Sequence, residues 1–154
     1  MNEWNDEVQD SINSRVGAYL SAFNRMDLDE VMNYFADDAV YEPGDGSVHR
    51  GKGAIRRAFT PQFAHAFGTM VFKEQDRIVE AQAGKVMLSW TCIIDARGLR
   101  YFSLTTWLRM TLGRLKFGRR AQWRGLDLLY FNSQGLIARK LTYANYASLR
   151  LTKV

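Results

Sequence analysis

Cysteine, histidine and proline are scarce in this chain of 154 residues, which has one, two and two of them respectively. Because Cys92 has no second cysteine to pair with, an internal disulfide is excluded, and a reducing cytoplasm is the setting we expect. His49, His65 and Cys92 have a spacing that matches no metal site, so we predict no metal and no cofactor. No apolar run approaches the roughly 18 residues of a membrane-spanning helix.

Acidic residues are missing from one long segment. Between Asp95 and Asp127 the sequence has eight basic residues and no acidic one, whereas the rest of the chain has 13 basic and 16 acidic residues. The net charge of +5 therefore comes from this segment, which indicates a local surface rather than a generally basic protein. A solvated helix face or a lid over a pocket is favoured. An anionic membrane surface is a less favoured alternative, and nucleic acid is less favoured still.

Helical spacing of apolar residues predicts two helices at the start of the chain. The first covers about residues 4–26. The second begins after Asp27, an N-cap residue with Glu30 three positions on, close to a capping box. Phe35 continues the apolar face of this helix, and the following strand is predicted to cover residues 39–42.

The period of the pattern changes from helix to strand near Met70. A third helix is predicted from about Gly51, with a kink or break near Phe59 because Pro61 lies inside it. The spacing of leucines at 101–117 predicts an amphipathic basic helix, with a long hairpin as the less favoured alternative. Helices first and mostly antiparallel strands afterwards predict one α+β domain over the whole chain. The later strands are predicted at residues 71–79, 86–94, 122–131 and 136–143.

Five short motifs are distributed along most of the chain, at residues 22–27, 34–40, 51–55, 123–127 and 135–137. Together they resemble the SnoaL-like and ketosteroid-isomerase-like branch of the nuclear transport factor 2-like superfamily. The resemblance leaves out an apparent insertion near residues 99–121. It implies a curved, mostly antiparallel sheet wrapped around the long first helix, which makes a cone with one apolar pocket.

The resemblance also implies a set of catalytic residues. In the isomerase-like pattern a carboxylate precedes a proline at the end of the first strand, as Glu42 precedes Pro43, and a tyrosine of the first helix, here Tyr19, donates to an oxyanion. Asp127 lies in an apolar strand, where a carboxyl group must be paired or protonated. We therefore expect Glu42 to act as a base, and Tyr19 and a protonated Asp127 to act as donors.

Each of these residues also has an ordinary structural interpretation. Tyr19 would then be a core aromatic residue, Glu42 a solvated residue beside a turn, and Asp127 a structural acid tied to the backbone or to Arg124. Alternation predicts that Arg124 points to the opposite face from Asp127. The predicted wall of the pocket is aromatic, and its substrate-binding residues are Phe35, Phe59, Trp90, Trp107 and Trp123.

The function that we predict is a small-molecule enzyme that moves protons by acid/base catalysis on a hydrophobic substrate, as an isomerase, cyclase or lyase. The alternative is a ligand-binding or protein-interaction module of the same fold without catalysis. The strands at 122–143 have two mostly apolar faces, more than a single layer of helices can cover. We therefore predict a homodimer through the outer face of the sheet.

Overall fold

A computed structural model describes residues 3–95, 108, 111–112, 115, 120–144 and 152–153, with only the backbone described at 3–6 and 152–153. Leu108, Thr111, Leu112 and Leu115 are helical, but most of the basic helix predicted at 101–117, including Trp107, lies outside the described residues. The elements are α1 (Glu3–Asn24), α2 (Leu28–Asn33), β1 (Phe35–Glu42), β2 (His49–Arg50), α3 (Lys52–Phe63), β3 (Thr69–Glu80), β4 (Lys85–Asp95), β5 (Arg120–Phe131), β6 (Ile137–Ala144) and β7 (Thr152–Lys153).

The predicted α+β class and the curved, mostly antiparallel sheet are confirmed. Within the described residues the strand order is β2-β1-β6-β5-β4-β3, and β7 pairs with β5. The pairing of β1 with β6 is parallel, and the other pairings are antiparallel. Val16, Tyr19 and Phe23 of α1 are buried in the same core as Leu88 and Trp90 of the sheet, so α1 covers the inner face.

The junction of α2 and β1 differs from the sequence prediction. Asp27 caps α2 as expected, and its Oδ1 accepts the Glu30 N–H at 3.0 Å. The helix nevertheless ends at Asn33, and Phe35 begins β1 rather than continuing the helix, so the strand starts four residues earlier than predicted. The cause is long-range, because the Ile137 N–H donates to the Tyr34 carbonyl at 2.7 Å and aligns Phe35 with β6.

The break predicted near Phe59 was wrong, because α3 continues to Phe63. Pro61 removes one backbone donor and lies in the last turn of the helix, where the loss is small because few bonds follow. The Thr60 hydroxyl donates to the Arg56 carbonyl at 2.8 Å in the same turn.

Asn24, the last residue of α1, attaches this helix to strand β3. Its Oδ1 accepts the Phe72 N–H at 2.8 Å, and its Nδ2 donates to the Phe72 carbonyl at 2.9 Å. The side-chain amide thus makes the two bonds that a neighbouring strand would make. The contact holds the backbone of Phe72 beside α1 and leaves its side chain free to change rotamer.

Gly125 gives the Trp90 indole its place on the inner face of the sheet. The two residues are directly opposite on β5 and β4, and a Cβ atom added to Gly125 would lie 2.3 Å from Trp90 Cη2. A side chain larger than hydrogen at this position would force the indole out of its site.

We predict that Gly125→Ala lowers the free energy of unfolding by about 1–3 kcal/mol, because overpacking forces a buried side chain from its rotamer. Urea denaturation followed by circular dichroism measures the change. Gly17→Ala is the matched control, since no atom lies within 4 Å of a Cβ added there in α1. The control should be neutral or stabilising by up to about 1 kcal/mol. Equal stability of Gly125→Ala and the wild type would contradict the packing described here.

Candidate functional site

A cavity of about 70 Å³ lies between α1, α3 and the inner face of the sheet. Its wall is mainly apolar and aromatic, with a polar group on one side. The lining residues are Tyr19, Leu20, Phe23, Tyr41, Phe59, Gln62, Met70, Phe72, Trp90, Trp123, Asp127, Lys140 and Thr142. The cavity is lined by Tyr19, Trp90 and Asp127 together, which the sequence analysis expected to share one pocket.

Asp127 is the centre of the polar side of the cavity, and it is 7% exposed. The Thr142 hydroxyl donates to its Oδ1 at 2.7 Å, and the Lys140 ammonium donates to its Oδ2. The sheet register explains these contacts, since Thr142 is directly opposite Asp127 on β6 and Lys140 precedes it by two residues on the same face. Arg124 is exposed, as alternation predicted, and is not a partner of Asp127.

Lys140 lines the cavity and pairs with Asp127, and the sequence analysis missed it. Strict alternation from the buried Ile137 would turn Lys140 outward. The pairing contains a bulge, because Tyr130 is opposite Arg139 whereas Phe131 is opposite Ile137, so that Ala138 is the extra residue. The extra residue exchanges the inward and outward positions along the rest of β6. Lys140 therefore faces the core, where it is 4% exposed.

The contacts of Asp127 correct the expectation that this residue donates to a ligand. Its two carboxyl oxygens accept hydrogen bonds from the Lys140 ammonium and the Thr142 hydroxyl. Asp127 is thus an acceptor at the wall of the cavity, rather than a carboxylic acid that donates to a ligand.

Tyr19 provides a hydroxyl group on the α1 side of the cavity. Burial raises the pKa of Tyr19 well above its ordinary value, and the charge of Asp127 and the nearby Tyr41 raise it further. The hydroxyl therefore keeps its proton and acts as a donor. Its oxygen has no hydrogen-bond partner among the described residues, while the ring packs edge-on against Phe23 and Phe35.

Three more buried polar atoms on the wall lack a partner within the described part of the chain. They are Gln62 Nε2, Trp90 Nε1 and Trp123 Nε1. The sequence analysis treated both tryptophans as apolar wall and did not consider their N–H groups. With the Tyr19 hydroxyl, these are four buried donors on residues that line the cavity, and none has a partner among the described residues.

Glu42 does not reach the cavity, contrary to the expectation that it is the base. Tyr41 points inward and lines the cavity, so its neighbour Glu42 points outward. The Arg139 guanidinium donates to Glu42 Oε1 from Nη2 at 2.8 Å and from Nε at 3.1 Å. This outer ion pair occupies the carboxylate on the side of the sheet that faces away from Asp127.

The predicted aromatic wall is only partly found at the cavity. Phe59, Trp90 and Trp123 line it. Phe35 is fully buried but lies behind Tyr19 and Phe59 in the core, so it does not line the cavity. Trp107 lies outside the described residues.

Neither a metal site nor a membrane-spanning helix is found in the part of the chain that the structure describes. No three of its histidine, cysteine, aspartate and glutamate side chains are grouped so that they could hold a metal ion. None of its helices is long and apolar enough to cross a membrane.

Several solved structures have the same fold as this chain. The epoxide hydrolase/cyclase-like enzyme SalBIII, studied for pyran ring formation in the polyether salinomycin, matches with a TM-score of 0.69 and 15% identity, over 93% of this chain and 95% of its own. A candidate polyketide cyclase from Xanthomonas campestris pv. campestris matches with a TM-score of 0.67 and 18% identity, over 91% and 94%. A Mycobacterium tuberculosis protein in complex with estradiol-17β-hemisuccinate matches with a TM-score of 0.63 and 16% identity, over 86% and 92%.

Sequence identities as low as these show that the chain shares the fold of these proteins, and they show nothing about its function. Comparison with curated protein sequences gives no significant match. The sequence model of the SnoaL-like domain matches residues 16–140, which is most of the chain. The resemblance seen in the sequence motifs is thereby confirmed, and the chain belongs to the SnoaL-like domain family of the nuclear transport factor 2-like superfamily.

Proposed function

We propose that this protein is an enzyme that binds a small, mainly apolar molecule with oxygen acceptors and moves a proton with Asp127. The observation that carries the proposal is a set of four buried donors, without partners in the described part of the chain, on residues around one cavity that also contains a buried carboxylate. A buried donor without a partner costs about 1–3 kcal/mol. A ligand that offers carbonyl or hydroxyl oxygens to these donors removes that cost, and the aromatic wall matches its apolar body.

The roles of the polar residues follow from their positions. Asp127 is an acceptor at the wall, so it is the group that can take a proton from a carbon next to a carbonyl. Lys140 and Thr142 hold its two oxygens in place. The Tyr19 hydroxyl keeps its proton and donates to the negative charge that develops on the substrate oxygen. Enolisation of this kind is the common step of an isomerase, a cyclase or a lyase.

The related structures agree with this class of ligand. One of them is an epoxide hydrolase/cyclase-like enzyme, one is a candidate polyketide cyclase, and one contains a steroid hemisuccinate. These properties belong to those proteins, and we extend only the general class, an apolar molecule with oxygen atoms, to this chain. The cavity of about 70 Å³ holds more than one water molecule. A polycyclic ligand therefore requires the half-buried Phe72 and Trp123 to move aside.

A second candidate function is ligand binding without catalysis. The ion pair favours it, because Lys140 and Thr142 already donate to both oxygens of Asp127 and reduce its availability as a base. The two candidates make the same prediction for binding but differ in proton transfer, which the following experiment measures.

We predict that the protein binds 2-tetralone, a bicyclic ketone with acidic hydrogens next to its carbonyl, and accelerates their exchange in heavy water. Quenching of tryptophan fluorescence reports binding near Trp90 and Trp123, and NMR of the ketone reports exchange. Asp127→Asn should lower the exchange rate by about a hundredfold or more, because a general base contributes that much. Asp38→Asn, at an exposed carboxylate of β1, is the matched control and should exchange as the wild type does.

Binding with no accelerated exchange would support the second candidate and reject catalysis. The absence of saturable binding would reject both. Circular dichroism of Asp127→Asn confirms that any loss of exchange comes from a folded protein.

We also propose that the protein is a homodimer joined through the outer face of the sheet. Ile78, Met87, Leu128 and Leu141 fall in one row across β3, β4, β5 and β6, on the face opposite Asp127. Ile78 is 55% exposed and Tyr143, on the same outer face, is 57% exposed. An apolar row of this kind favours association with a second copy.

Light scattering at tens of micromolar should give twice the monomer mass of 17.7 kDa. Ile78→Glu should shift the protein to the monomer, because a charge on an apolar contact must be desolvated without a partner. A monomeric wild type at this concentration would refute the proposal.

A further inference from the structure

The amino group of Lys140 lies inside the cavity, where the function proposed above uses it only to position Asp127. Its Nζ is 5.8 Å from the ring centroid of Tyr19 and 6.0 Å from that of Tyr41, and both rings line the cavity. The side chain of Lys140 is 5% exposed. A buried amine is costly to maintain, and it is the side-chain group that forms covalent adducts with carbonyl compounds.

We propose that Lys140 is a nucleophile that forms a protonated imine with an aldehyde or an unhindered ketone in the cavity. The proposal depends on the proposed function only in that the cavity admits a small carbonyl compound. It adds a covalent step and a second role for the ion pair.

The step balances without an oxidant or a further reactant. The Lys140 ammonium first gives a proton to Asp127 Oδ2, to which it is already hydrogen-bonded. The neutral amine attacks the carbonyl carbon, the new C–N bond forms, and a second proton moves from nitrogen to oxygen to give a carbinolamine. Its hydroxyl group then takes the proton held by Asp127 and leaves as water, while the nitrogen lone pair forms the C=N bond. Carbonyl compound and ammonium thus give iminium and water.

The surroundings of Lys140 suit each stage of this sequence. Asp127 accepts the first proton, returns it to the leaving hydroxyl, and afterwards pairs with the iminium charge. The Tyr19 hydroxyl, which keeps its proton, donates to the carbonyl oxygen during attack. The aromatic rings of the wall exclude bulk water, which limits hydrolysis of the imine. The cavity volume of about 70 Å³ favours a short carbonyl compound as the first probe.

Reductive trapping tests the proposal on the full chain. The protein is incubated with limiting butanal and sodium cyanoborohydride at neutral pH, and peptides are then mapped by mass spectrometry. We expect the butyl group on Lys140 before it is found on any of the other five lysines. Lys140→Arg keeps a positive charge beside Asp127 and should lose this early label, and Asp127→Asn should slow it. The triple variant Asp127→Leu, Lys140→Met and Thr142→Val lacks the amine without leaving an uncompensated buried charge, and it serves in case Lys140→Arg does not fold.

Early labelling confined to the other lysines would overturn the proposal, and this outcome does not depend on the folding of any variant. Labelling of Asp127→Asn at the wild-type rate would overturn the role given to the carboxylate. If 2-tetralone binds and exchanges while Lys140 stays unlabelled, the imine is rejected and the proposed function stands. If 2-tetralone neither binds nor exchanges while Lys140 is labelled first, the proposed function is rejected and the imine stands.

Discussion

The buried ion pair between Asp127 and Lys140 is the contact on which the rest of the site depends. Taking two charges out of water costs several kcal/mol for each ion, and their mutual attraction repays this only with good geometry and additional hydrogen bonds. Here one additional bond comes from Thr142. An apolar pair of similar size would fill the space with less cost, so stability alone gives little reason for the charges. The proposed function gives a reason for them, because the pair lines the same cavity as four buried donors that have no partner among the described residues.

Two local features of the sheet position the side chains around the cavity. The bulge at Ala138 turns Lys140 inward, so that it meets Asp127 across the strand pair. Gly125 leaves space for the Trp90 indole, which closes the cavity on the side of β4. The apolar core around α1 supports both features. The outer face of the sheet carries the ion pair of Glu42 and Arg139 and the exposed side chains of Ile78 and Tyr143.

The period of the apolar residues predicted the helices and most of the strands, and the family resemblance predicted the curved sheet around the first helix. Strands β4 and β5 pair without a register shift, and alternation along β5 correctly placed Asp127 inward and Arg124 outward. The early start of β1 at Phe35 could not be predicted in this way, because it depends on pairing with Ile137, about a hundred residues later in the sequence. Lys140 was missed because the bulge at Ala138 turns inward a residue that strict alternation would place on the outer face. Glu42 was misplaced because the family pattern was given more weight than the inward position of its neighbour Tyr41.

The central claim is that the Asp127–Lys140 pair serves chemistry rather than folding, and the stability of a fully apolar replacement tests it most directly. The account predicts that Asp127→Leu, Lys140→Met and Thr142→Val together unfold at the same or a higher denaturant concentration than the wild type. Lys140→Met alone should lose about 3–5 kcal/mol, because it leaves the carboxylate uncompensated. A triple variant that loses as much stability as this single variant would contradict the account and make the pair a structural element.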